Sequence, residues 1–425
     1  MRRFFLFLGT LAMVIGFLKL TPGAGQAPTA PAQAGAVAKA GPAIKTAWGE
    51  PDLQGIWLDP YMSPFERPAR YAGREFFTDA ERAALDAQRA KRLGSDFRPP
   101  ESVVAAAKGT GATGTYSEVH HFKRPTGPRT SLIVDPPDGR MPPVTPAVTK
   151  RRAEMREFQL TLLQATLACK NKLPACAGGK YGSPSPRFEE PAPIYPRTGV
   201  NRSDGPEDHG MHVRCLGGYL PAGSITPGFL ETNSPDVHRI VQTPGGISMF
   251  YEGYQGEAWQ RNIVMNGSPH LPSNVRQWWG DSRGHWEGNT LVIDVTNFSP
   301  KTDFLGAREN LHLVERWTRT GPDTLEYVVT MDDPTTWTKP WTVKQDFTKQ
   351  PEEANRIYSD NRCHEGNYGV PALLRGARIE DKAFAEGRGP NPAEICTNGC
   401  GPAGGGEEGD DVRTDQGTFE NFEIR

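Results

Sequence analysis

The chain of 425 residues contains none of the short motifs that mark common enzyme classes. It has no nucleophile elbow, phosphate-binding loop, zinc-protease helix or dinucleotide fingerprint. It also lacks clustered positive charge, since 48 Lys and Arg stand against 50 Asp and Glu, which argues against nucleic acid as a partner. No apolar run beyond the N-terminus is long enough for a membrane helix, and no internal repeat is present.

The N-terminus has the layout of an export signal. Arg2 and Arg3 precede an apolar run that ends at Leu18, too short for the roughly 20 residues that span a bilayer. Cleavage after Ala34 would remove Arg2, Arg3 and Lys19 and shift the formal charge from -2 to -5. We therefore expect a periplasmic or secreted protein without a stable membrane span. The paired arginines leave ordinary secretion and the twin-arginine route both open.

Six cysteines, an even number, are expected to form disulfides in an oxidising compartment. Short loops favour Cys169 with Cys176 and Cys396 with Cys400, which leaves Cys215 for Cys363. A metal site is the alternative interpretation, but the spacings lack the paired C-x-x-C of zinc ribbons.

Turn-forming residues punctuate the whole chain, with 47 Gly and 39 Pro. We divide the chain into a signal peptide (1–34), a flexible leader (35–47), an N-terminal part of mixed strand and helix (48–177), an irregular excursion (178–235), an antiparallel β core with a C-terminal helix (236–387) and a flexible tail (388–425). The predicted fold class is mainly β, with an antiparallel meander that forms a barrel or sandwich and a few peripheral helices.

Local patterns predict the individual elements. A short strand at Gly55, Ile56 and Trp57 opens the fold, and the Thr78–Glu81 capping box starts a helix. Further helices are expected over 146–167 and 370–386. The core strands are predicted over 237–243, 246–252, 259–265, 284–287, 290–296, 311–318, 324–331 and 337–343.

Four segments carry a resemblance to known proteins: 51–57 (PDLQGIW), 129–140 (RTSLIVDPPDGR), the run from PHLP at 269–272 through HWEG at 285–288, and 363–369 (CHEGNYG). Through them the chain resembles, from about residue 48 to about residue 386, a large family of exported bacterial proteins without an assigned activity. The resemblance brings no activity, cofactor or catalytic assignment to residues of this chain. Separately, Gly55-Ile56-Trp57 is similar to the opening of lipocalin-type barrels.

One predicted hairpin gathers chemically active side chains. A tight turn at Gly288 and Asn289 places Trp286, Leu291, Ile293 and Val295 on an apolar face. The opposite face then carries Arg283, His285, Glu287 and Asp294, with Arg283 and Asp294 as a cross-strand ion pair. Such a face is either an ordinary solvated strand surface or the lining of a cleft.

The cleft interpretation predicts an enzyme. His312 and Arg316 on the following strand would approach His285, and a bridge from Cys363 to Cys215 would bring His364 and Glu365 close. Histidine and carboxylate together suit acid–base hydrolysis or β-elimination of a carbohydrate or carboxylated substrate. The catalytic candidates are His285, His312, His364 and Glu365. The substrate-binding candidates are Arg276, Trp278, Trp279, Arg283, Glu287 and Arg316, with the two adjacent tryptophans expected in a strand and pointing to opposite faces.

Two alternatives stay open. Three histidines could instead hold zinc, and His209 with His212 is another possible metal pair, although we expect no cofactor. The second alternative is a periplasmic lipocalin-like protein that binds a ligand without catalysis. In either case the expected partner is a small-molecule or carbohydrate ligand, and no nucleic acid.

Overall fold

Ten strands form one sheet in the described part of the chain. The computed structural model describes residues 44–94, 124–171, 176, 181–195, 199–210, 213–216, 237–252, 258–351 and 367–396. The strands are β1 (Gly55–Leu58), β2 (Ile133–Asp135), β3 (Val237–Thr243), β4 (Gly246–Glu252), β5 (Ala258–Val264), β6 (Asp281–Glu287), β7 (Thr290–Thr296), β8 (His312–Gly321), β9 (Thr324–Asp332) and β10 (Trp341–Lys349).

Nine of these strands close into a barrel. β1 pairs with both β3 and β10, so the ring runs from β1 through β3 to β10, while β2 adds to the edge of β10. The predicted fold class is confirmed, and the sheet is a barrel rather than a sandwich. The meander is interrupted once, because β5 and β6 meet in parallel at Val264 and Arg283, whereas the other neighbours are antiparallel.

Four α-helices lie outside the barrel in the described residues: α1 (Asp79–Gly94), α2 (Pro146–Leu163), the short α3 (Leu167–Lys170) and α4 (Gly369–Ala385). The capping box before α1 is formed, since the Glu81 carboxylate accepts from the Thr78 N–H at 2.8 Å and the Thr78 hydroxyl accepts from the Glu81 N–H at 3.2 Å. No helix in these residues combines the length and apolar character of a membrane span.

The last core strand begins later than predicted. β10 starts at Trp341, whereas the sequence pattern placed a strand over 337–343. Trp337 instead ends a turn in which its N–H donates to the Asp333 carbonyl at 2.9 Å, and Pro340 follows shortly after. Proline cannot donate to a ladder, so the pairing of β10 with β9 begins only beyond Pro340, and Trp337 forms just an isolated antiparallel bridge with Val144.

One predicted disulfide is confirmed within the described residues. Cys169 and Cys176 are bonded, with their Cα atoms 5.3 Å apart. Cys215 and Cys396 each take part in a disulfide as well. Their predicted partners, Cys363 and Cys400, lie outside the described residues.

Large aromatic side chains pack inside the barrel. The fully buried rings include Trp57, Trp317, Tyr327 and Phe347, with the Trp317 and Tyr327 centroids 4.1 Å apart. At one end the Arg319 guanidinium lies 5.6 Å from the Trp57 ring and donates to the Asp52 carbonyl at 2.9 Å. The tryptophan of the opening Gly-Ile-Trp motif is thus part of the core packing and carries a cation on its ring.

A fully buried ion pair crosses this aromatic core. Arg261 on β5 donates to both carboxylate oxygens of Glu315 on β8, at 2.7 and 2.5 Å, and its Nε donates to the Tyr251 hydroxyl at 3.0 Å. The Trp317 indole also donates to Glu315, at 3.2 Å. The pair is therefore bidentate with further hydrogen bonds, which is the geometry that compensates two desolvated charges. Next to it, burial lowers the pKa of His238 to about 3, with a further contribution from Arg261, so that ring is neutral.

Gly280, directly before β6, lies at a position that allows no side chain. Its φ is +69°, and a Cβ atom there would lie 2.7 Å from the Thr296 carbonyl oxygen. Gly288 in the β6–β7 turn has a similar φ of +60° but open space around the Cβ position. We expect Gly280→Ala to destabilise the protein by about 1–3 kcal/mol more than Gly288→Ala, because only Gly280→Ala adds a steric clash to the backbone strain. Urea unfolding of the two variants measures this difference, and equal losses would contradict it.

Candidate functional site

The outer face of strands β6, β7 and β8 carries the predicted polar side chains. The hairpin register is as predicted, with Arg283 opposite Asp294 and Trp286 opposite Leu291. Leu291, Ile293 and Val295 are buried in the barrel, so the residues between them on β7 face outwards. The outward set on β6 and β7 is Asp281, Arg283, His285, Glu287, Thr290, Val292, Asp294 and Thr296.

Alternating acids and bases form a continuous hydrogen-bonded chain on this face. His270 Nδ1 lies 2.9 Å from an Asp281 oxygen, and its Nε2 lies 2.8 Å from an Asp294 oxygen. The other oxygen of Asp294 lies 3.0 Å from His312 Nε2. Arg283 closes the far end by donating to both oxygens of Asp281 at 2.9 Å. We name this set, Arg283–Asp281–His270–Asp294–His312, the relay.

A folded-back loop places His270 over the strands. The Leu271 N–H donates to Asp281 at 2.9 Å, and the Asn297 amide donates to the Leu271 carbonyl at 2.7 Å. Further along the loop, the Gln277 N–H donates to the Asn297 carbonyl at 2.9 Å. These bonds hold both ends of the loop against β6 and β7, so His270 is fixed between two carboxylates rather than free in solvent.

Exposure changes along the relay. The Asp281 side chain is 6% exposed and His270 is 29% exposed, whereas Asp294 and His312 are 40% and 39% exposed. Arg283 also donates to the Ser268 hydroxyl at 2.7 Å, which anchors the buried end. The relay thus leads from a buried, rigid anchor to a histidine that a dissolved molecule can reach.

The relay also shifts the protonation of its members. The hydrogen bond from His312 lowers the pKa of Asp294, and the same bond raises the pKa of His312. Burial alone would raise the pKa of Asp281, but hydrogen bonds from Arg283, the Leu271 N–H and His270 outweigh burial and lower it.

A second, more exposed group lies further along the same face. His285 Nε2 is 3.2 Å from one Glu287 oxygen, and Arg316 donates to the other at 2.7 Å. The hydrogen bonds from Arg316 and then from His285 lower the pKa of Glu287. His285 is bonded in this second group and His312 in the relay, so the two predicted catalytic histidines share a face but have different partners.

Two expectations for this region are wrong in detail. Arg283 does not bind Asp294 across the strands but binds Asp281, because Asp281 lies on the same strand face two residues away and accepts two bonds. Trp278 and Trp279 lie in a turn rather than in a strand. Trp279 packs on the barrel core 5.5 Å from the Tyr251 ring, and Trp278 is partly buried, so strand alternation does not apply to them.

The remaining candidates stand apart from the relay or outside the described residues. Arg276 donates to the Glu309 carbonyl at 2.7 Å and is exposed. His209 is buried. His364, Glu365 and His212 lie outside the described residues, and within those residues no group of three or more His, Cys, Asp or Glu side chains is arranged to hold a metal ion.

Sequence reasoning missed His270 and gave Asp281 and Asp294 no catalytic role. His270 lies in the PHLP segment at 269–272 that supported the family resemblance, and this was the one available signal. Nothing local predicts that the loop folds back, since its contacts reach residues 10 to 26 positions away.

The chain matches no protein-family model and no curated protein. A solved structure with which it shares similarity is a mutant of the fluorescent protein UnaG, at 14% sequence identity and a TM-score of 0.20. That similarity covers 33% of this chain and 86% of the other chain. At this TM-score it supports no conclusion about fold or function.

Proposed function

We propose that this protein is an exported enzyme that uses the relay for acid–base catalysis on a carbohydrate or carboxylated substrate, by hydrolysis or β-elimination. The observation that carries the proposal is the hydrogen bond of 3.0 Å between His312 and Asp294, with Asp294 itself fixed by His270. A partly exposed imidazole oriented by a carboxylate is the arrangement that moves protons near neutral pH.

Four of the five relay members have a role in this proposal. His312 takes a proton from water or from the substrate and returns it to the leaving group. Asp294 orients the ring and stabilises its protonated form, as the raised pKa of His312 indicates. His270 and Asp281 are positioning residues, because they hold Asp294 in place through contacts of 2.8 and 2.9 Å. Arg316, which is partly exposed on the same face, would bind a negatively charged substrate group.

The test is a substrate screen with matched variants. Wild type and His312→Gln are assayed against esters, neutral polysaccharides and polysaccharides rich in uronic acids. We expect His312→Gln to reduce turnover by about 10²–10⁴-fold, because it removes the group that transfers the proton. Thr330→Ala, on the outer face of the neighbouring strand β9, is the control and keeps full activity. Turnover that survives in His312→Gln would refute the role of the relay.

Ligand binding without catalysis is the second candidate. It is favoured by the closed barrel and by His238 Nδ1, a buried interior atom without a hydrogen-bond partner among the described residues. A buried polar atom of this kind calls for a water molecule or a ligand group. An interior ligand would contact Trp57 or Trp317 and change their fluorescence, so a fluorescence titration with carbohydrate and carboxylate ligands separates this candidate from catalysis.

A further inference from the structure

His312 has an acid on each side of it in the sheet. Asp294 lies on β7 and binds the ring at 3.0 Å, whereas Asp332 lies on β9, directly opposite His312 in the β8–β9 register. Side chains at directly opposite positions share one face of the sheet and have Cβ atoms about 5 Å apart. Both Asp332 and His312 occupy outward positions of their strands. The imidazole at the exposed end of the relay therefore lies between two carboxylates.

The carboxylate of Asp332, unlike that of Asp294, is not engaged. It forms no hydrogen bond and no ion pair with any residue that the structure describes. The hydrogen bond to Asp294 raises the pKa of His312, and the charge of Asp332 adds to that rise. The pairing of β9 with β10 begins one residue earlier, at Met331 and Trp341, so no residue of β10 pairs with Asp332. The carboxylate is thus close to the imidazole, partly exposed and free to bind water.

The imidazole also keeps one nitrogen available. His312 Nε2 contacts Asp294, while Nδ1 has no hydrogen-bond partner among the described residues. Hydrolysis of a carbon–oxygen bond uses one group that accepts a proton from water and one that supplies a proton to the leaving oxygen. The raised pKa of His312 favours the second task, and the unengaged carboxylate of Asp332 suits the first.

We propose that Asp332 is a second catalytic residue and that the reaction is hydrolysis of a carbon–oxygen bond in an uncharged substrate. Asp332 takes a proton from a water molecule, whose oxygen bonds to the reacting carbon. The bond from that carbon to the leaving oxygen breaks, and the leaving oxygen takes a proton from His312. Solvent then carries the proton from Asp332 back to His312. This inference rests on the proposed function, and it divides between two residues the proton transfers that His312 would otherwise perform alone.

The charges of this face favour hydrolysis over β-elimination. Elimination removes a proton from a carbon next to a carboxyl group, and a cation against that group stabilises the charge that develops. The cations on the outer face of β6, β7 and β8 are engaged, because Arg283 binds Asp281 at 2.9 Å and Arg316 binds Glu287 at 2.7 Å. A carboxylate on the reacting carbon would instead meet the two aspartates beside the relay histidine.

Two leaving groups separate the roles of the two residues. The probes are nitrophenyl and methyl glycosides of neutral sugars, with nitrophenyl acetate and ethyl acetate as the ester pair. Nitrophenolate leaves without a proton, so the nitrophenyl probes need the base but not the acid. We expect Asp332→Asn to lower turnover of both kinds of probe by about 10²–10⁴-fold. His312→Gln is expected to lower turnover of the alkyl probes to the same extent, but that of the nitrophenyl probes by less than about tenfold.

Controls and a product analysis make each result decisive. Glu326→Gln is the matched control, because Glu326 is a carboxylate on the same face of β9 that pairs with Lys344, and it keeps full activity. In water labelled with heavy oxygen, the product is expected to carry the label. An unlabelled product with a new carbon–carbon double bond would overturn the inference. Turnover that is lost in His312→Gln but unchanged in Asp332→Asn would also overturn it and leave the proposed function intact, whereas no turnover by the wild type would refute both.

A measurement without substrate tests the position of the second carboxylate. The NMR signal of His312 is expected to titrate at lower pH in Asp332→Asn than in the wild type, because the variant removes a negative charge beside the ring. Glu326→Gln is expected to leave that titration unchanged. An unchanged titration in Asp332→Asn would show that the carboxylate does not reach the imidazole, and the inference would fall.

Discussion

Glu315→Gln is expected to lower the free energy of unfolding by about 3–5 kcal/mol, because it leaves the buried Arg261 guanidinium without its counter-charge. Both side chains are almost inaccessible to solvent, since Arg261 is 5% exposed and Glu315 is 0% exposed. Glutamine has nearly the same volume as glutamate, so the loss reports the missing charge and not a cavity. Urea unfolding of the two proteins at neutral pH measures this loss.

A double variant separates pairing from burial in this core. Arg261→Met with Glu315→Leu removes both charges and is expected to recover most of the stability that Glu315→Gln loses, since no uncompensated ion remains. The Trp317 indole and Tyr251 hydroxyl lose a partner in the double variant, which limits the recovery. A single variant as stable as the wild type would show that water reaches Arg261 and would contradict a fully desolvated pair.

Asp294→Asn is expected to reduce turnover by about 10²–10⁴-fold and to lower the pKa of His312. Asp294 accepts from two imidazoles, at 2.8 and 3.0 Å. An asparagine has one acceptor oxygen, so its amide N–H₂ group must face one of the two rings, from which it cannot accept a hydrogen bond. The variant therefore keeps the shape of the relay but removes the charge that orients and protonates His312.

The pH dependence of stability follows from the two shifts. The pKa of His312 is raised in the folded state. Its contribution to the free energy of unfolding is therefore complete below the unfolded-state pKa of about 6.5 and is lost as pH rises through the folded-state pKa. The pKa of Asp294 is lowered in the folded state. Its contribution to the free energy of unfolding is therefore complete above the unfolded-state pKa of about 3.9 and is lost as pH falls through the folded-state pKa. The difference in stability between wild type and Asp294→Asn should thus be largest between about pH 4 and about pH 6.5.

Histidine ring signals in NMR titrations test this prediction directly. We expect the His312 signal to titrate at lower pH in Asp294→Asn than in the wild type. Glu287→Gln is the matched control, because it removes a carboxylate of the same face that contacts His285 and Arg316 but not His312. An unchanged His312 titration in Asp294→Asn would show that the hydrogen bond of the relay is not formed in solution.

Local elements were predictable because their causes are local. The β6–β7 hairpin followed from a two-residue turn between segments of alternating polarity, and its register was predicted residue by residue. The start of α1 followed from the Thr78–Glu81 capping box in the same way. The start of β10 was wrong because the strand-like composition around Trp337 outweighed the signal of Pro340 in the sequence interpretation.

The candidate site was only half predictable. The outward face of the hairpin placed Arg283, His285, Glu287 and Asp294 together, as alternation requires. It did not indicate which acid binds which base, because a partner depends on side-chain reach and on segments outside the hairpin. His270 decides the site, and its position depends on a loop whose fold is set by contacts with Asp281 and Asn297.

The sequence by itself determined the alternation of inward and outward side chains, the turns between them and hence a mainly β protein. Only the tertiary structure decided that β1 closes the ring against β10, that Arg261 meets Glu315 from 54 residues away, and that His270 lies between two carboxylates. The physical reason is range. Backbone preferences and polarity act over a few residues, whereas ring closure and charge pairing depend on which strands become neighbours once the whole barrel has formed.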